Sequence, residues 1–284
     1  MRAIWKFLLA LPAAAASGCM PADLVNSLAP SDGYRLVADV PYGDAARQTL
    51  DLYLPASPPA PRPVVVFFYG GNWESGEKAT YRFVGAALAS RGFVVVVPDY
   101  RVYPEVRYPG FVEDGAAAVR WTFAHVGTYG GDPARVSLMG HSAGGYIALM
   151  LALDPEWLGP ARAGVRSAVG LAGPYDFLPL TDPTLQTIFA TSPDLTRTQQ
   201  IAYADATAPP VLLATGRLDT TVSPANVTRL AARLRAAGGT VQTEYYTLLA
   251  HITLIGALGE PLRRITPVLD DVTQFLAGPS ADMH

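Results

Sequence analysis

Gly140-His141-Ser142-Ala143-Gly144 is a G-x-S-x-G pentapeptide set between the apolar run Val136–Met139 and the alanine-rich stretch Ala143–Leu153. With a strand before it and a helix after it, the pentapeptide reads as a nucleophile elbow. The turn is so tight that the residues two before and two after the serine must lack side chains, and Gly140 and Gly144 comply. Such a turn lifts Ser142 Oγ out of the sheet and aims a helix N-terminus at a developing oxyanion. The chemistry is attack on an acyl carbon, with the Ala143 N–H as one oxyanion donor.

A serine hydroxyl needs a base within hydrogen-bond reach. The chain has four histidines: His125, His141, His251 and His284. His284 is the last residue, His125 lies upstream in a helical stretch, and His141 would point away from Ser142 in a tight turn. That leaves His251, after the last strand-like run and before the closing helix. The base in turn needs a carboxylate to hold its tautomer and stabilise the imidazolium. Val211–Ala214 reads as a strand running into a loop that ends in Asp219, on the same rim as Ser142. Glu244 is the nearest rival, but it lies inside the alternating strand Val241–Tyr246. The order Ser142, Asp219, His251 is that of α/β-hydrolases. A second oxyanion donor is expected just past the apolar strand Val64–Phe68, where Gly70-Gly71-Asn72 offers Gly71 and Asn72. Trp73, Phe177, Phe189 and Tyr203 are candidates to line an apolar acyl pocket, though each also suits ordinary packing.

The elements that must hold these groups alternate. Tyr34–Val40 and Gln48–Leu54 have the period of two of half-buried strands, and Pro55–Pro63 holds five prolines and reads as a loop. Val64–Phe68, Phe93–Val97, Val136–Met139, Ala168–Leu171, Val211–Ala214 and Val241–Tyr246 read as strands. Thr80–Ser90, Val112–His125, Ala143–Leu153, Ala225–Ala237 and Leu262–Phe275 read as helices, with Tyr129-Gly130-Gly131-Asp132-Pro133 as a stop. This predicts one α/β domain over 34–278: a mostly parallel central sheet, helices on both faces, and a short cap insertion over about 177–206. An insertion there sits above the strand ends, where such sheets bind ligands.

Four segments in order carry a resemblance. Tyr69-Gly70-Gly71-Asn72-Trp73, Pro98-Asp99-Tyr100-Arg101, Tyr129–Pro133 and Gly140–Gly145 resemble the H-G-G-x-W branch of α/β-hydrolase carboxylesterases. That branch includes kynurenine formamidase-like enzymes, isoprenylcysteine methylesterases and small bacterial esterases. The likeness runs from about Leu50 to Phe275. It implies Ser142, Asp219 and His251 as a triad in a metal-free hydrolase. Tyr69 stands where the family has a histidine that helps brace the oxyanion loop, and Ala250 replaces the glycine usual before the catalytic histidine.

Composition narrows the function classes. Half of the 284 residues are apolar and 16% charged, which excludes disorder. A net charge of −3 gives no basic field for nucleic acid. One cysteine excludes an internal disulfide and a Cys-rich zinc site, and no H-E-x-x-H occurs, so neither metal nor cofactor is expected. In Gly71–Lys78, Glu77 occupies the place of a P-loop lysine and would repel phosphate.

Residues 1–18 read as a signal peptide: Arg2 and Lys6, the apolar run Phe7–Ala16, then small residues to Gly18. Ala16-Ser17-Gly18-Cys19 resembles a bacterial lipobox, with alanine where leucine is more usual. Cys19 is the expected lipidation site, and plain cleavage to a periplasmic or secreted protein is the alternative. Residues 19–33 form a leader. The expected function is hydrolysis of short-chain or soluble carboxylic esters. The alternatives are an amidohydrolase of the arylformamidase type and a non-catalytic surface lipoprotein binding through the same cleft.

Overall fold

The computed structural model describes residues 26–29, 32–56 and 61–278. Cys19 and the segment 1–18 lie outside the described residues. Eight strands form one sheet: β1 (Tyr34–Pro41), β2 (Thr49–Pro55), β3 (Arg62–Phe68), β4 (Val94–Pro98), β5 (Gly131–His141), β6 (Val165–Leu171), β7 (Val211–Gly216) and β8 (Val241–Tyr246). The order is β1-β2-β4-β3-β5-β6-β7-β8. β1 and β2 pair antiparallel, β2 joins β4 antiparallel, and every later pair is parallel. Val64–Phe68 and Val94–Val97 are buried throughout, as unbroken apolar runs covered on both faces must be.

Three helices pack on the first part of this sheet, α1 (Arg82–Ser90), α2 (Gly110–His125) and α3 (Ala143–Leu153), and the single turn α4 (Pro155–Leu158) lies against α2 and α3. All eleven residues of α3 are buried, so the helix behind Ser142 is the centre of the core. Farther on come α5 (Pro183–Phe189), α6 (Ala225–Ala236), α7 (His251–Gly256) and α8 (Val268–Ala277). The α/β-hydrolase architecture predicted from the sequence is the one observed, with α1 against α8 and α2 against α3.

Three local readings change. The closing helix does not start at Leu262. Leu262–Arg264 is one 3₁₀ turn, and α8 begins after Pro267, whose fixed φ and missing N–H suit a helix start and not its interior. Gly131-Asp132-Pro133 does not extend the stop after α2 but opens β5, with Gly131 paired to Arg62. The leader is more than a tether. Asn26 Oδ1 accepts from the Phe83 N–H at 3.0 Å, and its amide donates to the Ala79 and Thr80 carbonyls, so it caps the first turn of α1.

The insertion is tied to the core through Tyr146, in the first turn of α3. Its hydroxyl donates to Thr198 O at 2.8 Å and its carbonyl accepts from Gln200 Nε2 at 2.9 Å. Gln199 Oε1 accepts from the Phe177 N–H at 2.8 Å, closing the insertion on itself.

Candidate active site

Ser142 joins β5 to α3 with φ +55° and ψ −122°, a conformation that a non-glycine residue keeps only when its surroundings impose it. Here they do. A Cβ on Gly140 would lie 2.1 Å from Gly144 O, and one on Gly144 would lie 2.1 Å from Phe68 O. The backbone of the turn touches itself and β3, so side chains at those two positions are sterically forbidden. The Ser142 N–H donates to Leu171 O at 2.8 Å, fixing the turn against β6.

Asp219 and His251 come from loops that cross after β7 and after β8. The crossing is close: a Cβ on Gly216 would stand 2.1 Å from Leu249 O. The Arg217 N–H donates to Tyr246 O and the Leu218 N–H to Leu249 O, at 2.9 and 3.0 Å. His251 then opens α7, whose first turn is held by Thr253 Oγ1 accepting from the Ala250 N–H. Ala250 has φ −108° and ψ −176°, extended backbone that any residue adopts, so alanine in place of glycine costs nothing there.

The three side chains meet. His251 Nδ1 lies 2.8 Å from Asp219 Oδ2, and His251 Nε2 lies 2.9 Å from Ser142 Oγ. Asp219 Oδ1 accepts from the N–H groups of Thr221 and Val222, each at 2.9 Å, so both carboxylate oxygens are occupied. Burial alone would raise the Asp219 pKa. The hydrogen bond from His251 and the two backbone donors outweigh it and hold the carboxyl below its ordinary value. An ionised, acceptor-only Asp219 accepts a hydrogen bond from Nδ1–H, which leaves Nε2 as the acceptor for the serine hydroxyl. Glu244 faces along β8, where Gln242 Nε2 donates to it.

His141 turns away from Ser142 Oγ but not away from the site. Its ring is 4.7 Å from that of His251, and its Nε2 donates to His251 O at 3.2 Å. Burial, then the neighbouring His251, push its pKa down to about 3, so it is neutral at working pH.

Asn72, Trp73, Ser142 and Ala143 line one wall of a cavity of about 370 Å³. The opposite wall is Asp176–Asp182 of the insertion, Thr221–Ser223, and Asn226 and Arg229 of α6. Gly71, Asn72 and Trp73 have φ of +148°, +58° and +61°, a loop that turns sharply beside the serine. Phe177 lines the cavity and stacks on Trp73. Phe189, read from the sequence as a pocket residue, is instead fully buried and backs Trp73 edge-on. Tyr203 belongs to a separate cleft with Tyr108, Trp157 and Arg197. Two wall residues, Asn226 and Arg229, carry no motif in the sequence. Asn226 Oδ1 accepts from the N–H groups of Tyr175 and Asp176, and Arg229 pairs with the Asp176 carboxylate. Their i, i+3 spacing on α6 was the available signal. Among the described residues no cluster of three or more His, Cys, Asp or Glu could hold a metal ion.

The family profile of BD-FAE matches residues 50–234. The chain belongs to the BD-FAE family. It is similar to the probable isoprenylcysteine alpha-carbonyl methylesterase ICME of Oryza sativa subsp. japonica, 37% identical over 155 residues, which are 52% of this chain and 37% of the relative. Esterase LipC of Mycobacterium tuberculosis is 31% identical over 217 residues, 69% of this chain and 54% of its own. Thermogutta terrifontis esterase 2 in its apo form superposes with a TM-score of 0.72 at 25% identity, over 87% of this chain and 95% of that one. This chain thus spans between 37% and 54% of those two curated relatives. The resemblance to the α/β-hydrolase carboxylesterases read from the four motifs is borne out. The BD-FAE match ends before His251 and begins after Arg47.

Proposed function

We propose that the protein is a serine carboxylesterase in which Ser142 is the nucleophile, His251 the general base and Asp219 the residue that orients it. The observation that carries the reading is His251 bridging the other two, at 2.8 Å to Asp219 and 2.9 Å to Ser142. Ser142 Oγ attacks the ester carbonyl carbon while its proton passes to His251 Nε2. The oxyanion forms beside the N–H of Ala143, at the start of α3, and those of Gly71 and Asn72. Collapse breaks the acyl–oxygen bond, and the proton on Nε2 goes to the departing alkoxide. A water molecule then attacks the acyl-serine, giving its proton to Nε2, and the carboxylic acid leaves as Ser142 recovers the proton.

Short or soluble esters suit this site. A cavity of about 370 Å³ is at the lower end for small-molecule pockets, about 300–1,000 Å³. The insertion that roofs it is bonded into the core at Tyr146, so it supplies no large movable lid. Steady-state rates on p-nitrophenyl esters from acetate to dodecanoate, with an aryl formamide alongside, test the reading. Turnover falling with acyl length supports it. A clear preference for the formamide moves the protein to the amidohydrolase alternative, and no turnover on any substrate favours a binding protein.

Export belongs to the same reading. Arg2, Lys6, the apolar run and Cys19 support a lipidated terminus, since several acyl chains at about 0.8 kcal/mol per buried CH₂ anchor stably. Mass spectrometry of the mature N-terminus tests it: an acylated Cys19 supports the anchor, and an unmodified terminus refutes it.

A further inference from the structure

We infer that Arg47 is a positioning residue for the oxyanion loop, its one guanidinium tying the two ends of residues 69–76 to each other and to the end of β4. The inference rests on the reading of Gly71 and Asn72 as oxyanion donors. Arg47 lies between β1 and β2, outside the matched family segment. Its Nη2 donates to Tyr69 Oη at 3.0 Å, where the loop begins, and to Gly76 O at 2.6 Å, where it ends. Its Nε donates to Tyr100 O at 2.8 Å, just past β4.

Tyr69 passes the restraint on. Its hydroxyl donates to Asp99 Oδ1 at 2.7 Å, the same oxygen that accepts from the Lys78 N–H at 2.7 Å. Its carbonyl accepts from Tyr100 Oη at 2.7 Å, and its buried ring stacks on Tyr81 and Tyr100. Burial first, then Tyr100 and Asp99, keep the phenol protonated, so it remains a donor to Asp99 while accepting from Arg47.

The loop needs such holding. Asn72 and Trp73 both stand at positive φ, and within the loop the Glu74 and Ser75 N–H groups share a single acceptor, Gly71 O. Without Arg47 the carbonyls of Gly76 and Tyr100 and the Tyr69 hydroxyl each lose a donor at once. The loop end is then free to shift, and the Gly71 and Asn72 amides lose their aim. Amides aimed at an oxyanion stabilise the transition state more than bound substrate, so the loss should fall on kcat. A planar fork reaches three acceptors that an ammonium on a flexible stem does not.

The test compares the full chain with Arg47→Ala, Arg47→Lys, Tyr69→Phe and the Arg47→Ala/Tyr69→Phe double variant. Melting curves select conditions where all are folded, and amide exchange of residues 70–76 is followed in parallel. Arg47→Ala is expected to lower kcat about 10- to 100-fold with KM within about threefold. Arg47→Lys should stay low, dilute guanidinium but not sodium chloride should restore part of the Arg47→Ala rate, and the double variant should be no worse than the poorer single one. Exchange in 70–76 should quicken while that around His251 does not. Wild-type kcat in Arg47→Ala, or losses that multiply in the double variant, would overturn the role. If wild type hydrolyses no ester, the esterase reading fails by itself; unchanged exchange in Arg47→Ala then overturns the clamp, and locally faster exchange upholds it.

Discussion

His141 Nε2 donates to the carbonyl oxygen of His251 at 3.2 Å, with the two rings 4.7 Å apart. The residue next to the candidate nucleophile therefore holds the backbone of the candidate base, and it does so as a buried neutral imidazole. A protonated His141 would have to sit against a His251 that gains a proton during each proposed cycle. With a pKa of about 3 in the fold against about 6.5 unfolded, the unfolded chain binds this proton more readily. The contribution of His141 is therefore fully present above about pH 6.5 and is lost as pH falls toward 3. The depressed carboxyl of Asp219 works in the same direction at the acid end. Unfolding free energies from urea titrations should drop across this window by up to about 1.4 kcal/mol per pH unit from His141, and His141→Gln should flatten that slope. An unchanged slope in the variant would mean that His141 is not held neutral.

Ser142→Ala and His251→Ala should each lower kcat by about 10⁴ or more without loss of the fold, and the double variant should be no slower than either. Ester turnover with circular dichroism checks both points. Near wild-type rates in either variant would remove that residue from the chemistry.

Asp219→Asn should also lower kcat by about 10⁴, because an amide at this position no longer fixes the Nδ1–H tautomer of His251. Glu244→Gln should change kcat less than about twofold, since Glu244 meets Gln242 and no other group of the site. A larger loss in Glu244→Gln than in Asp219→Asn would show that the acid is misassigned.

The aromatic wall separates binding from packing. Phe177 lines the cavity, whereas Phe189 has no exposed surface. Phe177→Ala should raise KM for the longer acyl esters and leave the fold nearly as stable. Phe189→Ala should cost about 3–5 kcal/mol of stability by opening a void behind Trp73. Kinetics and urea unfolding of the two variants distinguish the roles, and the reverse pattern would contradict this placement.

Local chemistry made most of the fold legible. Uninterrupted valine runs marked the central strands, and the glycines around Ser142 marked a turn whose backbone contacts leave no room for a Cβ. Asp219 and His251 could be named from chain order, but their meeting depends on the loop crossing at Gly216, which no spacing reveals. Pocket and packing could not be told apart for Phe189, because an aromatic residue in an insertion looks the same in sequence whether it faces the cavity or backs Trp73. Pro267 could have placed the start of α8, and the apolar spacing before it hid that signal. Arg47 gave no sign at all: its three acceptors, on Tyr69, Gly76 and Tyr100, gather past the ends of the parallel β3 and β4, and the antiparallel pairing of β2 with β4 brings Arg47 to them.

The most direct measurement is the mass of the protein after treatment with a serine-directed fluorophosphonate, with peptide mapping and the residual ester hydrolysis of the same sample. The account predicts a single adduct on Ser142, activity lost in proportion to labelling, the same outcome with EDTA present, and no adduct in Ser142→Ala. An adduct on another residue, or full hydrolysis by a protein whose Ser142 is blocked, would contradict it.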